Sequence, residues 1–166
     1  MIAPRKLVFE AKKKENENLR FRTFLKCNAD EEELDRQFSE LHAELFEKYD
    51  CSRCRNCCKS YHAEFMSHEV QEATDYLEMD EKDFIQTYLS KNQVEDKYES
   101  QNAPCDFLQK NGNCILGECR PDSCKKYPYT NQPERMNSLL GVLNIITVCP
   151  VAYEIWERLK VVYKFR

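Results

Sequence analysis

Four cysteines fall within eight consecutive residues of this chain, in the pattern Cys51-x2-Cys54-x2-Cys57-Cys58. Such a dense group is typical of a metal site, because zinc ions and iron–sulfur clusters need several thiolates that converge on one point. If the run formed one helix, all four side chains would lie within about 120° of one face. Burial of unligated thiols is the alternative, and it suits an isolated cysteine such as Cys27 better than a group of four. The run therefore predicts metal ligation.

A second, more widely spaced group of cysteines completes the ligand set. It follows the pattern Cys105-x8-Cys114-x4-Cys119-x4-Cys124, and Cys149 follows after a gap of 24 residues. Basic side chains near both groups would offset the negative charge of thiolates and lower their pKa values; they are Arg53, Arg55, Lys59, Arg120, Lys125 and Lys126. The predicted metal ligands are Cys51, Cys54, Cys57, Cys58, Cys105, Cys114, Cys119, Cys124 and Cys149.

The spacing leaves the identity of the metal open between zinc and an iron–sulfur cluster. Cys51, Cys54 and Cys57 match the first three ligands of a bacterial ferredoxin run, but Cys58 interrupts the match and any fourth ligand is remote. The adjacent pair Cys57-Cys58 favours a multinuclear site or two neighbouring sites. His62 is interpreted as an exposed loop histidine rather than a ligand.

Ten cysteines in 166 residues could also form disulfides in an oxidising compartment. The first ten residues, MIAPRKLVFE, lack the apolar segment and cleavage site of a secretory signal. No stretch is long and apolar enough to span a membrane. We therefore expect a cytoplasmic protein with no membrane association, in which the cysteines serve first as metal ligands.

Charge and glycine content exclude several other functions. The net charge is −4, and no basic face with interleaved aromatic residues supports nucleic-acid binding. Residues 1–26 carry eight Lys or Arg against three acids, whereas residues 27–50 carry nine acids against two bases. The basic segment is therefore expected to pair with the acidic helix that follows, and the alternative is contact with an unidentified acidic protein partner. Only three glycines occur, so a glycine-rich phosphate or dinucleotide loop is excluded.

The pattern of apolar residues predicts a mainly α fold with a small irregular β-hairpin region, built as a single cysteine-cluster domain stapled by metal. Residues 1–28 are expected to form a basic N-terminal arm with an extended start and a short helix, and residues 29–166 the metal-binding domain. Helices are predicted from the caps Asp30, Ser67 and Asp80, and a last helix is predicted after Pro150. A loop over residues 91–102, a hairpin at residues 111–113 and a buried strand over residues 139–148 complete the prediction.

The cysteine run and the later motifs resemble the YkgJ-like cysteine-cluster family, whose domain is described as zinc- or iron-chelating. The resemblance covers roughly residues 50–153 and is carried by the run CSRCRNCC and by CDFL at Cys105–Leu108, together with Cys114, Arg120-Pro121, Cys124 and Tyr127-Pro128. It implies that eight of the nine predicted ligands are family ligand positions, that Cys119 is an addition, and that Arg120 and Tyr127 support the site.

Three functions are compatible with these observations. The first is a small accessory or redox module that binds zinc or an iron–sulfur cluster. The second is a cluster-dependent protein-modification enzyme with one open coordination position; a similar cluster occurs in flagellin lysine N-methylases, although this chain is short and has no glycine-rich cofactor loop. The third is a metal sensor or delivery protein with an exposed, exchangeable site.

Overall fold

The computed structural model describes residues 1–92 and 96–166 and confirms a mainly helical fold with a small β region. The α-helices of the described residues are α1 (Leu7–Lys13), α2 (Glu15–Asn28), α3 (Glu31–Phe46), α4 (Cys51–Cys54), α5 (Asn56–Ser60), α6 (Ser67–Leu77), α7 (Glu81–Tyr88), α8 (Asp122–Lys126), α9 (Arg135–Ile145) and α10 (Pro150–Val162). The strands are β1 (Glu64–Met66), β2 (Leu89–Lys91) and β3 (Lys97–Ser100). Short 3-10 turns lie at Pro4–Lys6 and Gly117–Cys119.

The chain divides into two compact units, which are described separately. The helical unit comprises residues 1–50 and 128–166, and the cysteine unit comprises residues 51–127. The predicted division into residues 1–28 and 29–166 stays a prediction.

The helical unit is built from α1, α2, α3, α9 and α10. Trp156, on the apolar stripe of α10, is fully buried, and its ring meets that of Phe21 edge-on with 5.0 Å between centroids. Two of the predicted helix starts in this unit are confirmed. The Asp30 side chain accepts a hydrogen bond from the Glu33 N–H, and Pro150 occupies the first turn of α10.

The side chain of Lys160 lies inside the helical unit, and only 6% of the residue is exposed. Its Nζ donates to Glu17 Oε1 at 2.6 Å, to Asn18 Oδ1 at 2.7 Å and to Glu157 Oε1 at 2.7 Å. Asn18 Oδ1 also accepts a hydrogen bond from the Trp156 indole N–H. A charge can remain buried here because it is paired and every ammonium donor is used.

The cysteine unit contains a three-stranded antiparallel sheet in the order β1-β3-β2. Phe65 of β1 lies opposite Tyr98 of β3, and Leu89 of β2 lies opposite Ser100. Helices α6 and α7 flank the sheet, and the Asp80 side chain caps α7 as predicted. The buried core of this unit is formed by Ala63, Phe65, Val70, Ala73, Phe84, Leu89, Phe107 and Leu116.

Several predicted elements differ from the structure. The extended start predicted for residues 1–28 is confined to residues 1–3, where Ala3 has extended backbone geometry, and the 3-10 turn, α1 and α2 follow, so the segment is more helical than expected. The predicted loop over residues 91–102 contains β3, although its positions 93–95 lie outside the described residues. Helix α6 begins at Ser67 with Met66 as its cap, one residue earlier than predicted.

The predicted strand over residues 139–148 is wrong, because most of this segment belongs to helix α9. The apolar run is buried on one helical face through Leu139 and Val142, whereas Leu140 is exposed. The first N–H groups of the helix are satisfied from a distance, since the Asp35 carboxylate accepts from Glu134 N–H and Arg135 N–H. A remote cap of this kind leaves no local start signal.

Across residues 1–92 and 96–166, the helices are too short or too polar for any of them to cross a lipid bilayer.

Candidate metal centre

The first cysteine run forms two short helical turns rather than one continuous helix. Helix α4 ends at Cys54, and α5 begins after Arg55, which adopts left-handed backbone geometry with φ 54°. The condition for placing all four thiols on one helical face is therefore not met. The break separates the pair Cys51 and Cys54 from the pair Cys57 and Cys58.

The adjacent thiols of α5 lie close together. Cys57 Sγ and Cys58 Sγ are 3.9 Å apart, within hydrogen-bonding distance for sulfur. This hydrogen bond is the main reason that the pKa of Cys58 falls to about 6, and the positive charges of Arg120 and Arg55 lower it further. Burial acts in the opposite direction. The prediction that Arg55 and Arg120 offset thiolate charge is thus confirmed for Cys58.

Cys105 and Cys114 lie on either side of the predicted hairpin, which the structure confirms. Leu108 and Cys114 form an antiparallel bridge, and the Gln109 N–H donates to the Asn113 carbonyl at 2.9 Å. Gly112 turns the chain with φ 84°, a conformation that few residues other than glycine adopt readily.

Burial raises the pKa of both cysteines of this hairpin, that of Cys105 to about 11. Backbone N–H groups act in the opposite direction: Phe107 N–H lowers the pKa of Cys105, and the N–H groups of Leu116 and Gly117 lower that of Cys114. These N–H groups offset only part of the desolvation. An environment with main-chain donors suits thiolate ligation, since such donors stabilise negative charge on sulfur.

Helix α8 carries Cys124 and is held in place by two side chains. One oxygen of the Glu69 carboxylate accepts from Asp122 N–H at 2.7 Å, at the start of α8. Ser123 Oγ donates to the carbonyl of Glu64 in β1 at 2.8 Å. Part of Cys124 is exposed, yet desolvation of its thiol raises the pKa to about 12, and the neighbouring thiols Cys105, Cys58 and Cys114 raise it further.

The structure therefore brings four predicted ligands into one neighbourhood: Cys58, Cys105, Cys114 and Cys124. Charge on Cys58 raises the pKa of each of the other three, and Cys105 N–H donates to the Cys58 carbonyl at 2.8 Å. These four cysteines are thiols and not halves of disulfides. Within the described ranges, however, no three Cys, His, Asp or Glu side chains converge closely enough to hold a metal ion. The thiols are neighbours at electrostatic range, which is longer than coordination range.

The remaining predicted ligands are positioned differently, and their ligation stays a prediction. Cys149 belongs to the helical unit, where its sulfur accepts from Ala152 N–H at 3.5 Å and caps α10. Cys119 ends the 3-10 turn and is half-buried, Cys54 is half-buried, and Cys51 is exposed.

Glu69 was not among the residues that the sequence predicted to support the site. Glu69 is only 6% exposed, and its second carboxylate oxygen accepts from Met66 N–H at 2.8 Å. The signal that could have revealed this role is its position three residues after the cap of α6, the spacing of a capping box.

His62 lies in the loop before β1 and is exposed, as expected. Its Nδ1 is 2.6 Å from the Ser100 carbonyl, which fixes the orientation of the ring against β3. Because a carbonyl can only accept, Nδ1 carries the proton in this contact. The contact gives His62 a structural role.

Comparison with known protein families shows what the chain is similar to. The family model described as "CxxCxxCC: Putative zinc- or iron-chelating domain" matches residues 50–141. The match includes eight of the nine predicted ligands and omits Cys149. Searches of curated proteins and of solved structures found no match to this chain.

Proposed function

The chain belongs to the CxxCxxCC family of zinc- or iron-chelating domains, and on that premise we propose that Cys58, Cys105, Cys114 and Cys124 form its principal metal site. These residues come from three separate segments of the cysteine unit: α5, the hairpin and α8. A metal ion or cluster would therefore link segments that are distant in sequence.

The observation that supports this proposal most is the backbone contact that places Cys58 beside the hairpin. Cys105 N–H donates to the Cys58 carbonyl at 2.8 Å, and the Leu108–Cys114 bridge holds Cys114 on the other side of the same hairpin. The N–H groups of Phe107 and Leu116 also favour the thiolate forms of Cys105 and Cys114. The donor set thus fits a metal that prefers sulfur.

Zinc and an iron–sulfur cluster both fit four thiolates. Bound zinc would supply structural cross-linking, whereas a bound cluster would also supply one-electron redox chemistry. In either case the site keeps a net negative charge, which Arg55 and Arg120 offset near Cys58. The role that we propose is a small accessory or redox module in the reducing cytoplasm.

A metal sensor or delivery protein is the second candidate. Cys124 is exposed as a residue, and Cys57 places another sulfur 3.9 Å from that of Cys58. An accessible ligand with an alternative donor beside it favours exchange of the metal with other thiols. A cluster-dependent modification enzyme would need an open coordination position beside a substrate pocket.

The test is purification of the full chain under anaerobic conditions, followed by elemental analysis and a visible absorption spectrum. Stoichiometric zinc without colour would identify a zinc protein, and iron with sulfide and broad visible absorption would identify a cluster. A chain that binds neither metal, even after reconstitution with Zn²⁺ or with Fe²⁺ and sulfide, would refute the proposal.

A further inference from the structure

Arg55 occupies an unusual position between the two turns of the first cysteine run. Its φ of 54° is left-handed geometry, which is unfavourable for a residue with a side chain and which glycine adopts readily. A strained residue persists only where its surroundings fix it. The contacts of Arg55 therefore need a physical explanation.

The guanidinium group of Arg55 fills the space beside Gly112 on the hairpin. A Cβ atom placed on Gly112 would lie 1.2 Å from Arg55 Cζ and 1.3 Å from one terminal nitrogen. The other terminal nitrogen donates to the Asn111 carbonyl at 2.6 Å. The contact thus needs both a glycine at residue 112 and a planar donor at residue 55.

This contact links the two cysteine groups through Arg55 and Gly112, neither of which carries a sulfur atom. Arg55 stands between Cys54 and Cys57, and Gly112 stands between Cys105 and Cys114. The Cys105 N–H bond to the Cys58 carbonyl is a second link between the same segments. Two links of this kind fix the distance and the register between α5 and the hairpin.

We propose that Arg55 and Gly112 form a clamp that positions the first cysteine run against the hairpin, so that Cys58 and Cys114 are held ready to bind the same metal. The inference rests on the proposed function, and it makes Arg55 a positioning residue rather than a ligand. Arg55 Nε is buried beside Gly112 and forms no hydrogen bond to any residue in the described ranges, so the contact depends on packing as well as on the bond to Asn111.

The experiment measures Zn²⁺ affinity of the full reduced chain by competition with a chelator, together with circular dichroism of the metal-free protein. Arg55→Gly removes the guanidinium and relieves the backbone strain. Gly112→Ala keeps the guanidinium but places a methyl group in the space that the guanidinium occupies. Gly141→Ala is the matched control, because a Cβ there meets no atom within 4 Å. The double variant Arg55→Gly with Gly112→Ala tests whether the two residues act through one contact.

We expect Arg55→Gly and Gly112→Ala each to weaken Zn²⁺ binding about 10–100-fold, the range typical of residues that support metal ligands. Gly141→Ala should bind as the wild type does, and the double variant should lose less than the product of the single losses. Wild-type affinity in Arg55→Gly would overturn the clamp even if Gly112→Ala failed to fold. A wild-type chain that binds neither zinc nor iron would overturn the proposed function itself, and with it this inference.

Discussion

One oxygen of the Glu69 carboxylate accepts the backbone N–H of Asp122 at 2.7 Å, across 53 residues of sequence. The other oxygen accepts Met66 N–H, so a single buried carboxylate satisfies the starts of both α6 and α8. Because α8 carries Cys124, the position of this thiol depends on a residue that contributes no sulfur.

Glu69→Gln should therefore destabilise the cysteine unit. An amide has only one oxygen, so one of the two N–H groups loses its charged acceptor, at a cost of about 1–3 kcal/mol. Urea unfolding would measure the loss in the free energy of unfolding. Glu72→Gln, on the exposed face of the same helix, is the control and should change little. Equal stability of both variants would contradict the bridging role.

Lys160→Met tests the buried ammonium of the helical unit. The substitution leaves Glu17, Glu157 and Asn18 without their common donor, although both carboxylates retain access to water. We expect a loss of about 2 kcal/mol in the free energy of unfolding. Lys12→Met, at an exposed position of α1, should be nearly neutral when measured in the same denaturant series. An unchanged Lys160→Met protein would show that the network adds no net stability.

His42 should make stability depend on pH. Burial against Phe46 lowers the pKa of His42 below its ordinary value of 6.5, and Nδ1 contacts Thr130 Oγ1 at 2.8 Å. Below pH 6.5 the unfolded chain therefore binds more protons at this residue than the folded chain does. The contribution of His42 is fully present above pH 6.5 and is lost as the pH falls from 6.5 through the lowered folded-state pKa.

The measurement is denaturant unfolding of the wild type and His42→Gln between pH 5 and pH 7.5. On acidification, the variant should lose less stability than the wild type does. Parallel curves for the two proteins would contradict the assignment.

Gly141→Ala should stabilise the helical unit. Gly141 lies in the middle of α9 on an exposed surface, and an added Cβ meets nothing within 4 Å. Replacing a helical glycine restricts the unfolded chain and should add about 0.5–1 kcal/mol to the free energy of unfolding. Thermal unfolding would detect the gain, and a decrease would indicate that the helix is less regular than described.

The fold was predictable where the residues that begin an element lie next to that element in the sequence. Asp30 and Asp80 lie directly before their helices and cap them, and Asn111-Gly112 marks the hairpin turn. Helix α9 was not predictable, because its cap is Asp35, a hundred residues away from Arg135. Its apolar run also suits either a strand or a helix.

The candidate site was predictable in its residue types but not in its grouping. Spacing alone could not show that Arg55 breaks the first run with left-handed geometry, nor that its guanidinium packs beside Gly112 far along the chain. Nor could it show that Cys124 lies near Cys58 and Cys105 within the cysteine unit. These distinctions arise from tertiary contacts.

The most direct measurement is the zinc and iron content per chain of Cys105→Ser and Cys124→Ser, purified anaerobically beside Cys27→Ser. Cys27 is exposed at the end of α2 and lies outside the cysteine unit. The account predicts that the first two variants lose most of the metal of the wild type, while Cys27→Ser retains it. Wild-type metal content in Cys105→Ser and Cys124→Ser would contradict the account.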